Sequence, residues 1–237
     1  DVPFGSTLAE LLDLPVVLSN DGNLGALAEQ RRGAGMGVPD MVYMVGDVGV
    51  GGGIIAGGQP LRGASGYAGE VGHVAVNPSG KRCPCGSRGC LETELGENAI
   101  LIAAGRLPGG GIDGVREVLK ASADGEERAA AAVMWAAVWL ARGIAALVNL
   151  VNPAVVVLGG ALAELFEATE KEVFDELDRW ALDAPRERVR LTVPALGADS
   201  VLLGAAELAF APLLADPLAL MGGGSARAVS GSTRTAN

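Results

Sequence analysis

The chain has 237 residues, of which 49% are hydrophobic and 4% aromatic, and its formal net charge is −10. This length suffices for one large domain or for two small lobes with their own cores. A chain this acidic lacks the clustered Lys and Arg that displace counterions from nucleic acids, so we expect most of these residues not to contact DNA.

The first third of the chain predicts strands that alternate with helical and glycine-rich segments. It opens on Asp1 with neither an initiator Met nor a charged-then-apolar leader, so we expect a fragment of a longer protein. Short apolar runs predict the strands, and glycines are expected to end the helix. The predicted elements are strands at 14–19, 41–47 and 73–77, a helix from Gly22 that Gly33 and Gly35 end, and a hairpin at 48–58.

The rest of the chain is mainly helical, with one buried strand. Residues 221–237 contain few apolar side chains, and we expect them to form a disordered tail. Strands alternating with helices indicate an α/β fold, in which ligands bind at the carboxyl ends of strands. The predicted elements are helices over 92–150 (broken near 107–113), 162–180 and 204–214, a buried strand at 154–160 and a half-exposed strand at 188–193.

Residues 129–151 are apolar and long enough to cross a bilayer. However, Arg142 lies inside this Ala-rich segment and Asn149 lies near its end, and an Arg at mid-membrane costs roughly 2.5–3.5 kcal/mol on insertion scales. We therefore expect a helix buried in a core or in a dimer interface rather than a membrane span.

A cluster of metal-ligating residues predicts a structural zinc site. The only histidine, His73, and all three cysteines, Cys83, Cys85 and Cys90, fall within 18 residues. One His and three Cys form a closed tetrahedral set for zinc. We expect Gly80, Gly86 and Gly89 to allow the tight turns between the ligands, and Lys81, Arg82 and Arg88 to offset the charge of the thiolates.

Two other interpretations of the cysteines remain open. They could be unrelated free thiols, or two of them could form a redox pair. The odd number of cysteines disfavours a disulfide framework, so we expect the protein to reside in a reducing cytoplasm.

Several polar residues predict a pocket for a polyol beside this cluster. Glu70 and His73 are three residues apart, and a zinc-bound His keeps one ring nitrogen free to donate a hydrogen bond. Glu92 follows the last cysteine closely, and Asn20 and Asp21 end a predicted strand. The alternatives are that Asn20 and Asp21 only cap the next helix, and that Glu92 is only a first-turn residue that the helix dipole stabilises.

These residues lie in motifs that resemble the ROK family of repressors, open reading frames and sugar kinases. The resemblance rests on GVGGGIIAGGQPLRGASGYAGEVGH, CPCGSRGCLE, NPAVVVLGG and GAAELA, and it runs from about Leu14 to about Pro217. It implies an α/β fold of actin-like, hexokinase-like (ribonuclease H-like) lobes with a zinc knuckle. Residues 1–220 would be a partial sugar-binding domain, with its first lobe incomplete and without the first phosphate loop or a helix-turn-helix.

The resemblance also implies roles for individual residues. In members that are kinases, Asp21 would be the catalytic base, and ATP with magnesium would be required. The implied sugar contacts are Asn20, Asp21, Glu70, His73 and Glu92, and the glycines implied to bind nucleotide in a kinase are Gly51, Gly52, Gly159 and Gly160.

Two positions depart from the pattern of the family's kinases. Where kinases carry Gly-Thr-Gly at the phosphate-binding turn, this chain has Asp47 or Val48 in place of the Thr. An Asp repels phosphates, and a Val cannot hydrogen-bond them. The milder departure is Ser19, which stands where kinases commonly have Glu.

We therefore expect the sugar-sensing effector domain of a ROK-type transcriptional regulator, a repressor of carbohydrate-metabolism genes, rather than an enzyme. The alternative is a truncated ATP-dependent hexose kinase of the glucokinase type. The expected ligand is a monosaccharide or a sugar derivative, and the expected cofactor is structural zinc. We expect a cytoplasmic homo-oligomer, with the Ala-rich helix as a candidate interface, without a membrane partner, and with DNA contacts only through an amino-terminal domain.

Overall fold

The computed structural model describes residues 2–217 and is built around one five-stranded mixed sheet. The strands follow the order β3-β2-β1-β4-β5 across the sheet. The first three strands form an antiparallel meander, and the last two run parallel to β1. The strands are β1 (Met41–Gly46), β2 (Val50–Ala56), β3 (Gln59–Pro60), β4 (Val155–Gly160) and β5 (Arg190–Thr192).

Nine α-helices within the described residues pack around this sheet. The helices are α1 (Phe4–Leu12), α2 (Asp21–Arg32), α3 (Leu91–Leu95), α4 (Glu97–Ala103), α5 (Gly111–Ala123), α6 (Glu127–Val151), α7 (Ala161–Trp180), α8 (Asp183–Arg186) and α9 (Ser200–Ala215).

The alternation of side chains along β1 divides the core between the two faces of the sheet. Met41 and Tyr43 point to the face covered by α2, against which α9 packs. Val42 and Met44 point to the other face, where α6 and α7 complete the larger core. Because both faces are covered, β1 and β4 are almost continuously buried, as expected for a parallel pair inside an α/β fold.

The register of the sheet brings glycine-rich turns together at one edge. Gly46 ends β1 opposite Val50 of the hairpin and beside Gly160 at the end of β4. The carboxyl ends of these parallel strands therefore open on the same side of the sheet, where ligands bind in such folds.

The Ala-rich segment predicted to be buried is a core helix. Ala136, Leu140 and Ile144 on α6 are fully buried inside this chain. By length and composition α6 and the stretch 197–215 could each cross a membrane, but two-thirds of the apolar window of α6 is covered by the protein itself. The prediction that this helix lies in a core is therefore confirmed. Its most apolar face is covered by the chain itself and is not available to a dimer interface.

Arg142 lies within α6 because the protein provides partners for its charge. Its guanidinium is stacked between two indoles, 4.8 Å from the ring centroid of Trp139 and 4.6 Å from that of Trp180. Its Nε lies 3.3 Å from the Glu176 carboxylate of α7. Arg142 therefore joins α6 to α7.

Two strand predictions are wrong. Residues 14–19 have no strand structure, and Val17 and Leu18 are 63% and 57% exposed. No neighbouring strand among the described residues supplies the backbone hydrogen bonds that a strand there requires. Residues 73–77 also form no strand, because their pairing is limited to one bridge between Ala75 and Cys90. The tail predicted at 221–237 lies outside the described residues.

Candidate metal centre and adjoining carboxylates

The loop that carries the cysteines is a compact knuckle formed by residues 74–90. One end is closed where Leu91 N–H donates to the Val74 carbonyl at 2.9 Å. At its tip the Gly86 N–H donates to the Cys83 carbonyl at 3.0 Å, and Gly86 adopts φ +96°, a conformation that favours glycine. As expected, glycine allows the tight turn between two of the cysteines.

The four residues predicted to bind metal converge on one point. The ligand atoms of His73, Cys83, Cys85 and Cys90 all lie within 4.8 Å of one another. The Cys83 sulfur is 3.6 Å from Nδ1 of His73, and the sulfurs of Cys85 and Cys90 are 3.7 Å apart. Zinc–sulfur and zinc–nitrogen bonds of about 2.3 and 2.0 Å place tetrahedral ligand atoms roughly 3.5–3.8 Å apart, so the donor set fits zinc.

The surroundings of the sulfurs are also suited to a cation. The Cys85 N–H lies 3.5 Å from the Cys83 sulfur, which is a donor aimed at a negative ligand. Burial and then the Glu92 carboxylate raise the pKa of Cys83, and burial raises the pKa of Cys90, whereas the Ser87 backbone N–H lowers the pKa of Cys85. A metal ion would offset the cost of ionising Cys83 and Cys90, since it binds thiolates.

Glu92 links the metal cluster to the adjoining surface. It is the second residue of α3, and its carboxylate Oε1 lies 2.7 Å from the Cys83 sulfur and 3.5 Å from His73 Nδ1. On its other side, a Cβ added to Gly49 would lie 2.9 Å from Oε2, so a larger residue at this position would displace the carboxylate. The knuckle therefore places Glu92 beside the turn that follows β1.

Asp21 reaches the same area from the other side of the sheet. α2 begins against β2, where a Cβ on Gly22 would lie 2.4 Å from the Gly52 carbonyl oxygen. This close approach places the Asp21 carboxylate 3.7 Å from where a Cβ of Gly51 would be. Asp21 is exposed and accepts from the Gly22 N–H at 2.7 Å.

Asn20 is the N-cap of α2. Its amide oxygen accepts from the backbone N–H groups of Gly22 and Asn23 at 2.9 and 3.3 Å. Asn20 therefore caps α2, as one interpretation expected, and its amide nitrogen remains as the group that could face a ligand.

Glu70 is held at the start of a short 3-10 turn, Val71–His73. The preceding Gly69 has φ +95°, and its ideal Cβ would lie 3.2 Å from the Gly53 Cα, so the segment lies tightly against β2. The Glu70 carboxylate is exposed, and within residues 2–217 it forms no hydrogen bond or ion pair.

Two acidic residues, Asp47 and Glu97, meet at the turn after β1, and only Asp47 was identified from the sequence. The Glu97 N–H donates to the Asp47 carbonyl at 3.0 Å, and Glu97 is only 4% exposed. Burial, and then the charge of Asp47, raise the pKa of Glu97. Nothing in the local pattern marks Glu97, because its proximity to Asp47 arises from the long-range packing of α4 against the turn.

Glu94 was also missed, and it braces the knuckle. This 4%-exposed carboxylate accepts from the Asn77 side-chain amide at 3.0 Å, and a Cβ on Gly80 would lie 2.4 Å from its Oε1. Its position three residues after Leu91 was the available signal, because residues at this spacing share one face of a helix.

The four glycines predicted for a nucleotide have close neighbours within the protein. A Cβ on Gly52 would clash with the Tyr43 carbonyl, and one on Gly159 would lie 2.8 Å from the Tyr43 hydroxyl. Gly160 has φ +59° and faces the Gly46 carbonyl, while Gly51 faces Val45. Packing alone therefore requires small residues at several of these positions. Gly160 also lines a cavity of about 390 Å³ at the ends of β1 and β4.

Comparison with known proteins shows the family to which the chain belongs. Residues 1–211 match the ROK family. The chain is 32% identical over 218 residues to a glucokinase of Halalkalibacterium halodurans, covering 86% of this chain and 66% of that protein. It is 30% identical over 229 residues to a xylose repressor of Caldicellulosiruptor bescii, covering 92% of this chain and 57% of that protein.

A solved structure shares the fold. The ROK family glucokinase of Streptomyces griseus, in complex with glucose and AMPPNP, superposes with a TM-score of 0.75 at 31% identity, over 87% of this chain and 72% of that chain. The chain thus spans about two thirds or less of the length of the kinase and the repressor compared by sequence, and relatives of both kinds cover most of it.

Proposed function

The chain belongs to the ROK family, and from this premise we propose that it is the sugar-binding effector domain of a ROK-type transcriptional regulator, braced by one structural zinc ion. The family contains both repressors and sugar kinases among the relatives of this chain. The residues around the turn after β1 distinguish the two kinds of protein.

His73, Cys83, Cys85 and Cys90 would hold the zinc ion. The Cys83–His73 and Cys85–Cys90 separations of 3.6 and 3.7 Å match those of a closed tetrahedral site, which would leave no position for a reactive water. The ion supplies stability to a knuckle that has few apolar side chains of its own. Because Nδ1 of His73 faces Cys83, the other ring nitrogen remains to donate to a ligand.

The proposed sugar contacts are Asn20, Asp21, Glu70, His73 and Glu92. Carboxylates accept hydrogen bonds from adjacent hydroxyls, and an amide or imidazole N–H donates to hydroxyl oxygens, so the set is complementary to a monosaccharide. A site of this kind discriminates strongly, because a missing hydroxyl leaves a polar group unpaired.

The acidic turn is the observation that favours the regulator. Asp47 and the buried Glu97 meet at the turn after β1, the turn that resembles the phosphate-binding turn of the family's kinases. Transferring phosphates carry several negative charges and need cationic or N–H partners in this position. Two acidic side chains at this turn would oppose that binding.

In a regulator the sugar acts by favouring one of two conformations. Binding can shift DNA affinity only if the sugar has different affinities for the two states. DNA contacts would come from another segment of the full-length protein, since this chain is acidic.

Calorimetry with a small panel of sugars tests the proposal. D-glucose, D-xylose and N-acetyl-D-mannosamine are titrated into the zinc-loaded chain, and at least one is expected to bind. Glu70→Ala should abolish that binding with little loss of fold, because the Glu70 carboxylate has no partner among residues 2–217. Normal affinity in this variant, or no heat from any sugar with the wild type, would reject the assignment.

The alternative is an ATP-dependent sugar kinase with Asp21 as the catalytic base. The cavity beside Gly160 and the similarity to glucokinases favour it. A coupled assay for ADP formation with magnesium, ATP and the same sugars distinguishes the two functions. Turnover that Asp21→Asn removes would establish the kinase, and sugar binding without turnover would support the regulator.

A further inference from the structure

We propose that the cavity beside the amino end of α2 binds an acidic substituent of the sugar, namely a carboxylate on a short aliphatic arm, and that Arg62 recognises it. The proposal rests on the function proposed above, and it names the class of sugar derivative that the site would prefer. None of the four residues of the metal cluster lines this cavity.

The cavity adjoins the proposed sugar contacts. Its volume is about 310 Å³, which lies within the range of small-molecule sites. Asn20 lines the cavity and is itself one of the proposed contacts. Asn23 lines it as well, and its Oδ1 lies 3.5 Å from where a Cβ of Gly69, the residue before Glu70, would be. A sugar held by Asn20 and Glu70 would therefore lie next to this cavity.

The polar side chains of the cavity offer hydrogen-bond donors. They are Ser19, Asn20, Asn23 and Arg62, and no Asp or Glu lines the cavity. The amide oxygen of Asn20 already accepts from two backbone N–H groups, so its nitrogen is left to donate. Within residues 2–217 the side chains of the other three form no hydrogen bond or ion pair. Donors without a carboxylate beside them suit an anionic group.

Arg62 is an unpaired cation in an acidic chain. Arg142, by contrast, is paired with the Glu176 carboxylate. The main chain at Arg62 is fixed, because the Ala68 N–H donates to the Arg62 carbonyl at 3.2 Å. A guanidinium presents its N–H groups in a rigid fork that matches the two oxygens of a carboxylate. Arg62 therefore supplies the one charge that a carboxylate needs.

The rest of the cavity wall favours a hydrocarbon arm. Leu24, Leu27 and Leu208 line it, and Leu27 is only 5% exposed. Covering this apolar surface with the CH groups of a ligand is favourable. A phosphate carries about 1.5–2 negative charges, which one guanidinium in an apolar wall does not balance. A carboxylate on an aliphatic arm fits both parts of the wall.

The acidic sugar contacts lie outside this cavity. Asp21 and Glu70 are not among the residues that line it. Their charges attract the donor side of sugar hydroxyls and repel an anion, whereas Arg62 does the reverse. A sugar with its hydroxyls towards Asp21 and Glu70 and its acidic arm in the cavity would give each group a complementary partner.

Two pairs of sugars, each differing in one acidic substituent, test the proposal. D-glucuronate is compared with D-glucose, and N-acetylmuramic acid with N-acetyl-D-glucosamine, by calorimetric titration of the zinc-loaded chain. In at least one pair the acid should bind about tenfold more tightly than its neutral counterpart. D-glucose 6-phosphate, titrated as the alternative anion, should show no such advantage over D-glucose.

Two arginine variants locate the effect. Arg62→Gln should remove the advantage of the acid and should change the affinity for the neutral sugar far less, which also shows that the variant is folded. Arg188→Gln is the matched control. Arg188 is likewise exposed, and within residues 2–217 its side chain is unpaired, but it does not line the cavity. This control should keep the full advantage.

Three results would overturn the inference while the proposed function stands: a neutral sugar that binds while neither acid has an advantage, an advantage that survives in Arg62→Gln, and a preference for the phosphate over both acids. If none of these ligands and no sugar of the earlier panel binds the zinc-loaded wild type, the proposed function fails and the inference fails with it.

Discussion

The knuckle at residues 74–90 and the interface between α6 and α7 are held together by opposite means. The knuckle has little buried apolar surface of its own, and its polar ligand atoms converge within 4.8 Å. The α6–α7 interface buries Leu140, Ile144 and Leu165 completely. The charge of Arg142 in this interface is paired with the Glu176 carboxylate. With the proposed zinc site, the first region would depend on an ion from solution, whereas the second depends on burial that the chain provides itself.

The largest expected effect is on the knuckle. Cys85→Ser removes one of four ligands, and zinc affinity should fall more than about a hundredfold, since even partners outside the ligand set cost 10–100-fold. Elemental analysis of the purified protein measures the loss, and hydrogen exchange should rise in 74–90 but not in α6. Ser79→Ala, in the same loop but outside the ligand set, should keep its zinc. Unchanged metal content in Cys85→Ser would refute the site.

A substitution in the core should lower the stability of the fold and leave the zinc content unchanged. Leu140→Ala leaves a cavity in a fully buried position of α6, and the free energy of unfolding should fall by about 2–5 kcal/mol. Zinc content should stay the same. Urea denaturation measures the change, with Met134→Ala on an exposed part of the same helix as the control. Loss of zinc in Leu140→Ala would show that the two regions are not independent.

Arg142→Met tests whether the guanidinium of Arg142 stabilises the contact between α6 and α7. The variant keeps the aliphatic stem but loses the stacking on Trp139 and Trp180 and the ion pair with Glu176, so we expect a loss of about 1–3 kcal/mol in unfolding free energy. Arg142→Lys keeps the charge and should lose less. An unfolding free energy equal to that of the wild type would mean that the guanidinium is not needed here.

The smallest effect is the pH dependence of the same interface. Burial raises the pKa of Glu176, but hydrogen bonds from Trp180, Arg179 and Arg142 outweigh burial and lower it below 4.5. Its stabilisation is therefore complete above about pH 4.5 and is lost as the pH falls through the lowered pKa. Thermal melts between pH 6 and 3 should show a smaller loss of Tm in Glu176→Gln than in the wild type, and parallel curves would contradict this assignment.

The sequence predicted much of the fold, because its strongest signals are local. The apolar runs of β1 and β4 and the helical spacing of α6 and α7 depend only on which faces are buried, and all four elements are confirmed. The strand expected at 14–19 is wrong, because a strand needs a hydrogen-bonding neighbour that no local pattern specifies.

The candidate site was predicted less evenly. The convergence of the His and Cys ligands followed from their rarity and spacing, and it is confirmed as a cluster. Glu97 escaped notice, because it approaches Asp47 only through the packing of α4. The sugar-binding roles of Asn20, Asp21, Glu70, His73 and Glu92 stay predictions.

The central claim is that a metal ion at the knuckle organises a sugar-binding surface. The most direct test is calorimetric titration of the same chain, zinc-reconstituted and chelator-treated, with D-glucose, D-xylose and N-acetyl-D-mannosamine. One sugar is expected to bind the reconstituted chain at least about tenfold more tightly than the treated chain. Equal affinity in the two preparations, at full zinc occupancy in one and none in the other, would contradict it.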